Sequence, residues 1–459
     1  MAQLATLAAA LLATTPAAAQ TIPAGPSAAY ARAIAAGYKA AMLCSGIFIA
    51  HRTEAQIGAD ELQGIYPEYQ PLLATLPATV DRQGQFVRVA FDPALPPRRA
   101  SFEGARGCVT APIGAAEPQI IAKGAWRAQP FRPDPRPWPQ GDAGIAPQPA
   151  RPLATTLASA FDAATYGAKS KTTGVVILHD GKLIAERYAD GWSPFTANRT
   201  WSVAKSIAGT LIGTLQPDAA GKLDPAKPAP VPEWRRPGDP RGAITLGQLL
   251  SMASGLHSAT AGNRTDAIYF GGVAVEEEAP GWPLEAAPGT RFRYANNDIL
   301  LAIHAARAVI PPARYDALAP GFFAKLGMTH TVAERDWHGN YILSSQVWST
   351  ARDLARLGQF WLQDGVWQGE RLLPAGWLAF MATPAGPQPE GDGPGYGATL
   401  WLHGPRQGLP AGSYAAQGNR GQYVLVIPSR KLVIVRRGED GPARFDIARF
   451  AADVMKAVP

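Results

Sequence analysis

The sequence predicts an α+β fold, an α/β sandwich in which one antiparallel sheet is assembled from both ends of a domain beside a large helical insertion, with an N-terminal extension in front. Three observations carry this expectation. Near the domain's start, "TTGVVILHDGKLIAERYADG" (residues 172–191) reads as two strands around Asp180-Gly181, a hairpin signal. At its end, "SYAAQGNRGQYVLVIPSRKLVIVRRG" (413–438) reads as two strands around a Pro-Ser-Arg-Lys turn, followed by a helix in "ARFDIARFAADVMKAV". Between them, "TLGQLLSMASGL", "NDILLAIHAARAVI" and "TARDLARLGQFWLQDG" all place apolar residues at three- and four-residue spacing, the period of a helix with one buried face.

The elements follow in order. "MAQLATLAAALLATTPAAAQ" (1–20) carries an apolar stretch from Leu4 to Leu12, Pro16, and Ala17 to Ala19 before Gln20, the pattern of a secretory signal peptide. No Lys or Arg precedes Arg32, so the true start lies upstream or the signal is a weak one. The run is too short to span a bilayer, no run of 18 or more apolar residues occurs elsewhere, and no Cys follows the cleavage pattern as a lipid anchor would need. A periplasmic or secreted protein is expected. Residues 21–126 form an α+β extension with a helix in "SAAYARAIAAGYKAAML" and a strand in "FVRVAF". The two cysteines, Cys44 and Cys108, both fall there; in an exported chain they form a disulfide, the alternative being two buried thiols. Residues 127–152 are dense in proline and lack an apolar period, so they read as a semi-extended linker or a strap. The main domain then runs from 153 to 459.

Composition limits the function. Of 459 residues 47% are hydrophobic, enough for a sizeable core, and the net charge of +7 is spread out. Arg235-Arg236 and Arg436-Arg437 read as solvated surface, and no basic run suits nucleic acid. The cysteine spacing fits no zinc site and no His-Glu-x-x-His occurs, so neither a metal nor an organic cofactor is expected. A small-molecule substrate is. The extension can dimerise the chain, cover a pocket or buttress the sheet; its residues do not choose among these.

The chemistry starts at "RTWSVAKSIAGTLIGTL" (199–215). Ser202 and Lys205 lie three residues apart, on one face of a helix. A serine hydroxyl is a weak nucleophile without a base in reach, and a lysine serves as that base once burial lowers its pKa. Ile207, Ala208, Leu211 and Ile212 supply the apolar surroundings, and the Ser202 N–H at the helix start is free to face an oxyanion. In "RFRYANNDILLA", Tyr294 can relay a proton if positive neighbours favour its phenolate, and Asn296 can orient the lysine and a substrate carbonyl. The bland alternative is a tyrosine packed at a helix start with Asn as its cap. In "AAQGNRGQYVLVIP", Gly418 and Gly421 let a ligand approach the backbone, and the Asn419 N–H is a second oxyanion donor; an ordinary hairpin bend is the alternative. His179 and His304 read as structural, and His257 as a pocket candidate.

"WSVAKS", "TLGQLLSMASGL", "FRYANN", "STARDLARLGQFWLQDG", "GYGATLWL" and "GNRGQYVLVIPSRKLVIVRRG" occur in the order found in the serine β-lactamase and penicillin-binding-protein superfamily. From about Leu153 onward the chain resembles its class C β-lactamase-like hydrolases, most of all the 6-aminohexanoate-dimer hydrolases and related esterases. The resemblance implies a β-lactamase/transpeptidase-like fold, with Ser202 as acylated nucleophile, Lys205 as its base, Tyr294 as proton relay and Asn296 as the Asn of "YAN". It also places Asp266 and Tyr269, in "NRTDAIYFGG", on the loop that approaches substrate. One departure stands out: where β-lactamases carry Lys-Thr-Gly or His-Thr-Gly, this chain has Gln417-Gly418, and only Arg420 is near to replace the missing cation. Glu276-Glu277-Glu278 reads as a solvated loop rather than a deacylating carboxylate, and no Gly-x-Ser-x-Gly elbow occurs. The expected activity is hydrolysis of a small amide or ester. Its rivals are a β-lactamase or D-alanyl-D-alanine carboxypeptidase and, in another class, a non-catalytic sensor.

Overall fold

A computed structural model describes residues 27–116, 133–144, 149–257, 265–442 and 444–458. The expected signal peptide lies outside them. Among the described residues the main sheet has seven antiparallel strands. Across the sheet they run Gly395–Tyr396, Trp401–His403, Ser413–Gly418, Gln422–Ile427, Leu432–Gly438, Thr172–His179 and Lys182–Tyr188. The two ends of the domain meet near the middle, where Ile434 pairs with Ile177 and Val435 with Val176.

The central strands are apolar on both faces because both faces are covered. Val176, Leu178, Val424, Val433 and Val435 join Ile207, Leu211 and Leu354 of the helices Val203–Thr214 and Ala351–Leu362. The alternate residues Val175, Ile177, Leu425, Leu432 and Ile434 join Leu157, Phe450 and Val454 of the helices Arg151–Ser159 and Ile447–Ala457. This period-two division is what a strand sandwiched between two helical layers requires.

The structure departs from expectation at four places in this domain. The closing segment holds three strands, since Ser413–Gly418 pairs with Trp401–His403 on one side and Gln422–Ile427 on the other. Its Ala-Ala-Gln-Gly carries little β propensity; pairing on two sides supplies what propensity does not. Arg436 and Arg437, read as surface, are buried at the end of the central strand. Arg436 forks onto Asp440 at 2.7 and 2.8 Å, and Arg437 donates to Gln422 Oε1, the Ser349 carbonyl and the Asn198 carbonyl. Buried guanidinium groups are tolerated when their N–H groups find acceptors in this way. Glu276 is not in a solvated loop: Val275–Glu278 is a helical turn, and Glu276 receives hydrogen bonds from His338 and Asn340. A helix that the sequence did not announce, Arg151–Ser159, precedes the first strand of the sheet, with Pro152 in its first turn, where a missing N–H costs nothing.

In the N-terminal region the helix Ala28–Phe48 packs on a four-stranded sheet, Ala78–Asp81, Phe86–Val89, Arg98–Phe102 and Cys108–Thr110. The helix continues past Leu43 through Ser45 and Gly46; a Cβ on Gly46 would stand 2.5 Å from the Ile57 side chain, so its smallness serves that contact. Cys44 and Cys108 form a disulfide, with Cα atoms 6.0 Å apart. Residues 133–144 lie across the Ala351–Leu362 helix. Arg356 donates to the Pro139 and Gly141 carbonyls, and Arg352 to those of Asp142 and Gly144. Among the described residues no helix is long and apolar enough to cross a membrane.

Candidate active site

The Val203–Thr214 helix starts from Trp201, whose φ of 50° is left-handed. For a bulky residue that conformation costs on the order of 1–3 kcal/mol. It turns the chain sharply from the Asn198–Arg199 strand into the helix, and the Arg199 guanidinium lies 3.9 Å from the centre of the Trp201 ring. Ser202 then occupies the N-cap but caps no backbone N–H with its side chain. Its Oγ instead receives a hydrogen bond from Lys205 Nζ at 2.9 Å. Ile207, Ala208, Leu211 and Ile212 are fully buried and hold the helix in the core.

Lys205 is 1% exposed. Its three ammonium donors reach Ser202 Oγ, Asn296 Oδ1 at 2.6 Å and the Ser344 carbonyl at 2.7 Å, all of them neutral. Burial without a carboxylate partner, with the positive charge of Arg199 adding to it, pulls its pKa down to about 7. At neutral pH a substantial fraction of this amine is therefore unprotonated.

Tyr294 precedes the helix Asn296–Arg307, and its ring centre lies 5.0 Å from Lys205 Nζ and 5.4 Å from the Trp401 ring. Burial pushes its hydroxyl well above the ordinary phenol range, against the lowering effect of hydrogen bonds with Ser202 and Trp401. Burial therefore favours the phenol form of Tyr294. Asn296 does more than start a helix, since its carbonyl oxygen holds Lys205 and its Nδ2 donates to Thr265 Oγ1 at 3.5 Å.

Gly418 ends its strand against the Ser202 backbone. A Cβ built there would lie 2.3 Å from the Thr200 carbonyl oxygen and 3.1 Å from Ser202 N. With φ −134° and ψ 158° any residue could adopt the backbone, so only space demands glycine. Asn419–Gly421 forms the turn beside it, with Arg420 at φ 57°.

Ser202, Tyr294, Asn296, Gly418, Asn419, Asp266 and Tyr269 all line one cavity of about 680 Å³, with Lys205 beneath its floor. Tyr66, Trp201, Trp401 and Tyr423 line it as well and were not anticipated. Trp201, Trp401 and Tyr423 lay inside stretches already singled out for other residues; Tyr66 carries no local signal, because only the fold brings it near. His257 is elsewhere, stacked on Trp282 with its Nδ1 against Glu285. Arg420 lines the cavity, but its guanidinium is engaged away from it. Its guanidinium turns to Glu439 Oε2 at 3.0 Å and to the Asp60 carbonyl at 2.9 Å. Gln417 is tied by its Nε2 to His403 Nε2 at 2.7 Å, and burial holds that imidazole at about 4, hence neutral. Among the described residues no cluster of His, Cys, Asp and Glu could hold a metal ion.

Comparison with known proteins agrees with this geometry. The β-lactamase family model matches residues 157–449. A 6-aminohexanoate-dimer hydrolase of Paenarthrobacter ureafaciens is 27% identical over 301 residues, covering 58% of this chain and 72% of that protein. Two solved structures share the fold. One is a provisionally named 6-aminohexanoate-dimer hydrolase from Bacillus anthracis, with TM-score 0.53 and 22% identity over 62% of this chain and 78% of that one. The other is a provisionally named β-lactamase from Bacteroides dorei, with TM-score 0.54 and 19% identity over 67% of this chain and 98% of that one. With the serine-lysine pair, the two-ended antiparallel sheet and the matched segment in agreement, the chain belongs to the β-lactamase family.

Proposed function

We propose that this protein is a serine hydrolase that cleaves small amides or esters through an acyl-enzyme on Ser202. The observation that carries the reading is Lys205 Nζ, 2.9 Å from Ser202 Oγ, buried, and surrounded by neutral acceptors that leave its pKa near 7. In acylation the neutral amine takes the Ser202 proton as Oγ attacks the substrate carbonyl. The tetrahedral oxyanion is held by the N–H groups of Ser202 and Asn419; the close approach of Gly418 to Ser202 supports this pairing. Tyr294, a phenol, passes a proton to the leaving amine or alcohol and is reprotonated from Lys205. In deacylation the same groups work in reverse, taking a proton from water as it attacks the ester and returning one to Ser202 Oγ.

The neutral Gln417 beside neutral His403, with the Arg420 guanidinium paired to Glu439, favours an amide or ester substrate over a β-lactam whose carboxylate needs a cation on that strand. A linear amide of the kind named for the Paenarthrobacter relative is the first to offer. The disulfide supports export to the periplasm or beyond.

The test is intact-mass detection of an acyl adduct on incubation with p-nitrophenyl esters, short linear amides and β-lactams. An ester or amide adduct that is absent in Ser202→Ala supports the reading. Rapid nitrocefin turnover with inert esters and amides would make it a β-lactamase instead, and no adduct with any compound would make it a sensor.

A further inference from the structure

The matched family segment starts at residue 157, yet one residue of the cavity lining, Tyr66, lies far before it. The Tyr66 carbonyl accepts from the Tyr69 and Gln70 amides, which sets its backbone at the start of the short helix Gln70–Leu73. Its ring lies 5.0 Å from that of Tyr38, 5.8 Å from that of Tyr69 and 5.6 Å from that of Phe270. Phe270 follows the cavity residue Tyr269 in the π-helical turn Ala267–Gly271. Tyr294, Tyr396 and Trp401 form another aromatic group.

The N-terminal region also grips that turn directly. The Tyr69 hydroxyl donates to Asp266 Oδ2 at 2.6 Å, and Arg98 Nη2 donates to the Phe270 carbonyl at 2.7 Å. The Ala28–Phe48 helix approaches so closely at Gly37 that a Cβ there would stand 2.0 Å from the Phe270 carbonyl oxygen. The disulfide then ties that helix to the Cys108–Thr110 strand. A wall built this way is rigid, aromatic and fixed relative to Ser202.

We propose that the N-terminal region supplies a specificity wall of the active site: Tyr66 contacts the substrate arm beyond the scissile bond, and Tyr69 positions Asp266 on the same wall. This rests on the reading that Ser202 is the nucleophile. A flat ring backed by other rings favours an extended apolar arm over a short one. The residues that choose the substrate are then partly outside the segment that carries the chemistry.

The experiment measures kcat/KM in two series, p-nitrophenyl acetate to octanoate for the acyl side and ethyl to benzyl acetate for the leaving-group side. Tyr66→Ala is expected to lower the ratio of longest to shortest member about tenfold in at least one series, mainly through KM. Tyr66→Phe, which keeps the ring, retains the wild-type ratio to within about twofold. Tyr69→Phe, which removes only the hydroxyl held by Asp266, shifts the ratio in the same direction as Tyr66→Ala. If Tyr66→Ala does not fold, Tyr66→Leu decides, since it keeps most of the volume and loses the flat ring. Wild-type ratios in both series, in a folded Tyr66→Ala or Tyr66→Leu protein, overturn the inference. Failure of the Ser202 reading shows differently, as Ser202→Ala turning over the same esters at the wild-type rate.

Discussion

Asn296 Oδ1 lies nearer to Lys205 Nζ, at 2.6 Å, than Ser202 Oγ does, at 2.9 Å. The amide carbonyl holds the lysine in line with the serine without adding a charge. A carboxylate at that position would hold the proton on Lys205.

The acidic limb of kcat/KM is therefore expected near pH 7, with the rate rising with pH as Lys205 loses its proton. Asn296→Asp should move that limb upward by about one to three pH units, because an adjacent anion favours the ammonium form. A pH profile of ester hydrolysis for the two proteins checks the sign. A limb that stays in place or moves down would remove Lys205 as the base.

Ser202→Ala should lower kcat by roughly 10⁴-fold or more, the scale on which loss of a nucleophile is felt. The thermal midpoint should hold, since the hydroxyl caps no backbone group of its helix.

Gly418→Ala tests the close approach of strand and nucleophile. Its Cβ would press on the Thr200 carbonyl oxygen, so the strand end must move away from Ser202. A loss of about 10²-fold in kcat, the size seen when one oxyanion donor is withdrawn, is expected. Steady-state kinetics beside a circular-dichroism melt separates this from misfolding.

Glu334 joins the two regions of the chain. It accepts from Ser45 Oγ at 2.6 Å and from the Cys108 amide at 3.2 Å, and burial raises its pKa to about 7. Because that pKa is raised on folding, the folded state binds more protons, and stability falls as pH rises from about 4.5 through 7. The effect amounts to on the order of 3 kcal/mol. Glu334→Gln keeps the acceptor oxygen and cannot ionise, so denaturant melts should show it more stable than wild type at pH 8 and level with it at pH 4.5.

Cys44→Ser should cost roughly 4 kcal/mol, the chain entropy released when a loop of this size is opened; the two cysteines are 64 residues apart. The same loss should follow mild reduction of the native protein, read as a lower thermal midpoint.

The proposed nucleophile and base, Ser202 and Lys205, and the Tyr-x-Asn pair were legible in the chain because each pair is short-range chemistry. Ser202 and Lys205 share a helix face, and Tyr294 and Asn296 sit at the mouth of another, so local geometry implies each pair, while the meeting of the two pairs was what the family resemblance implied. The hairpin at 172–188 and the strands 422–427 and 432–438 announced themselves through β-branched runs and turn residues. The Ser413–Gly418 strand did not, since its identity as a strand comes from neighbours on both sides.

What the linear order determined by itself was each candidate pair, Ser202 with Lys205 and Tyr294 with Asn296, and the sheet made from the two ends of the domain. Tertiary packing alone decided which groups lose water: burial raises the pKa of the Tyr294 hydroxyl, and Arg436 and Arg437, expected in water, lie in the core. It alone brought Tyr66 into the cavity beside Ser202, which lies far along the chain. The physical reason is that pattern and propensity act over a few residues. Desolvation depends instead on everything that surrounds a group, and most of that comes from distant parts of the chain.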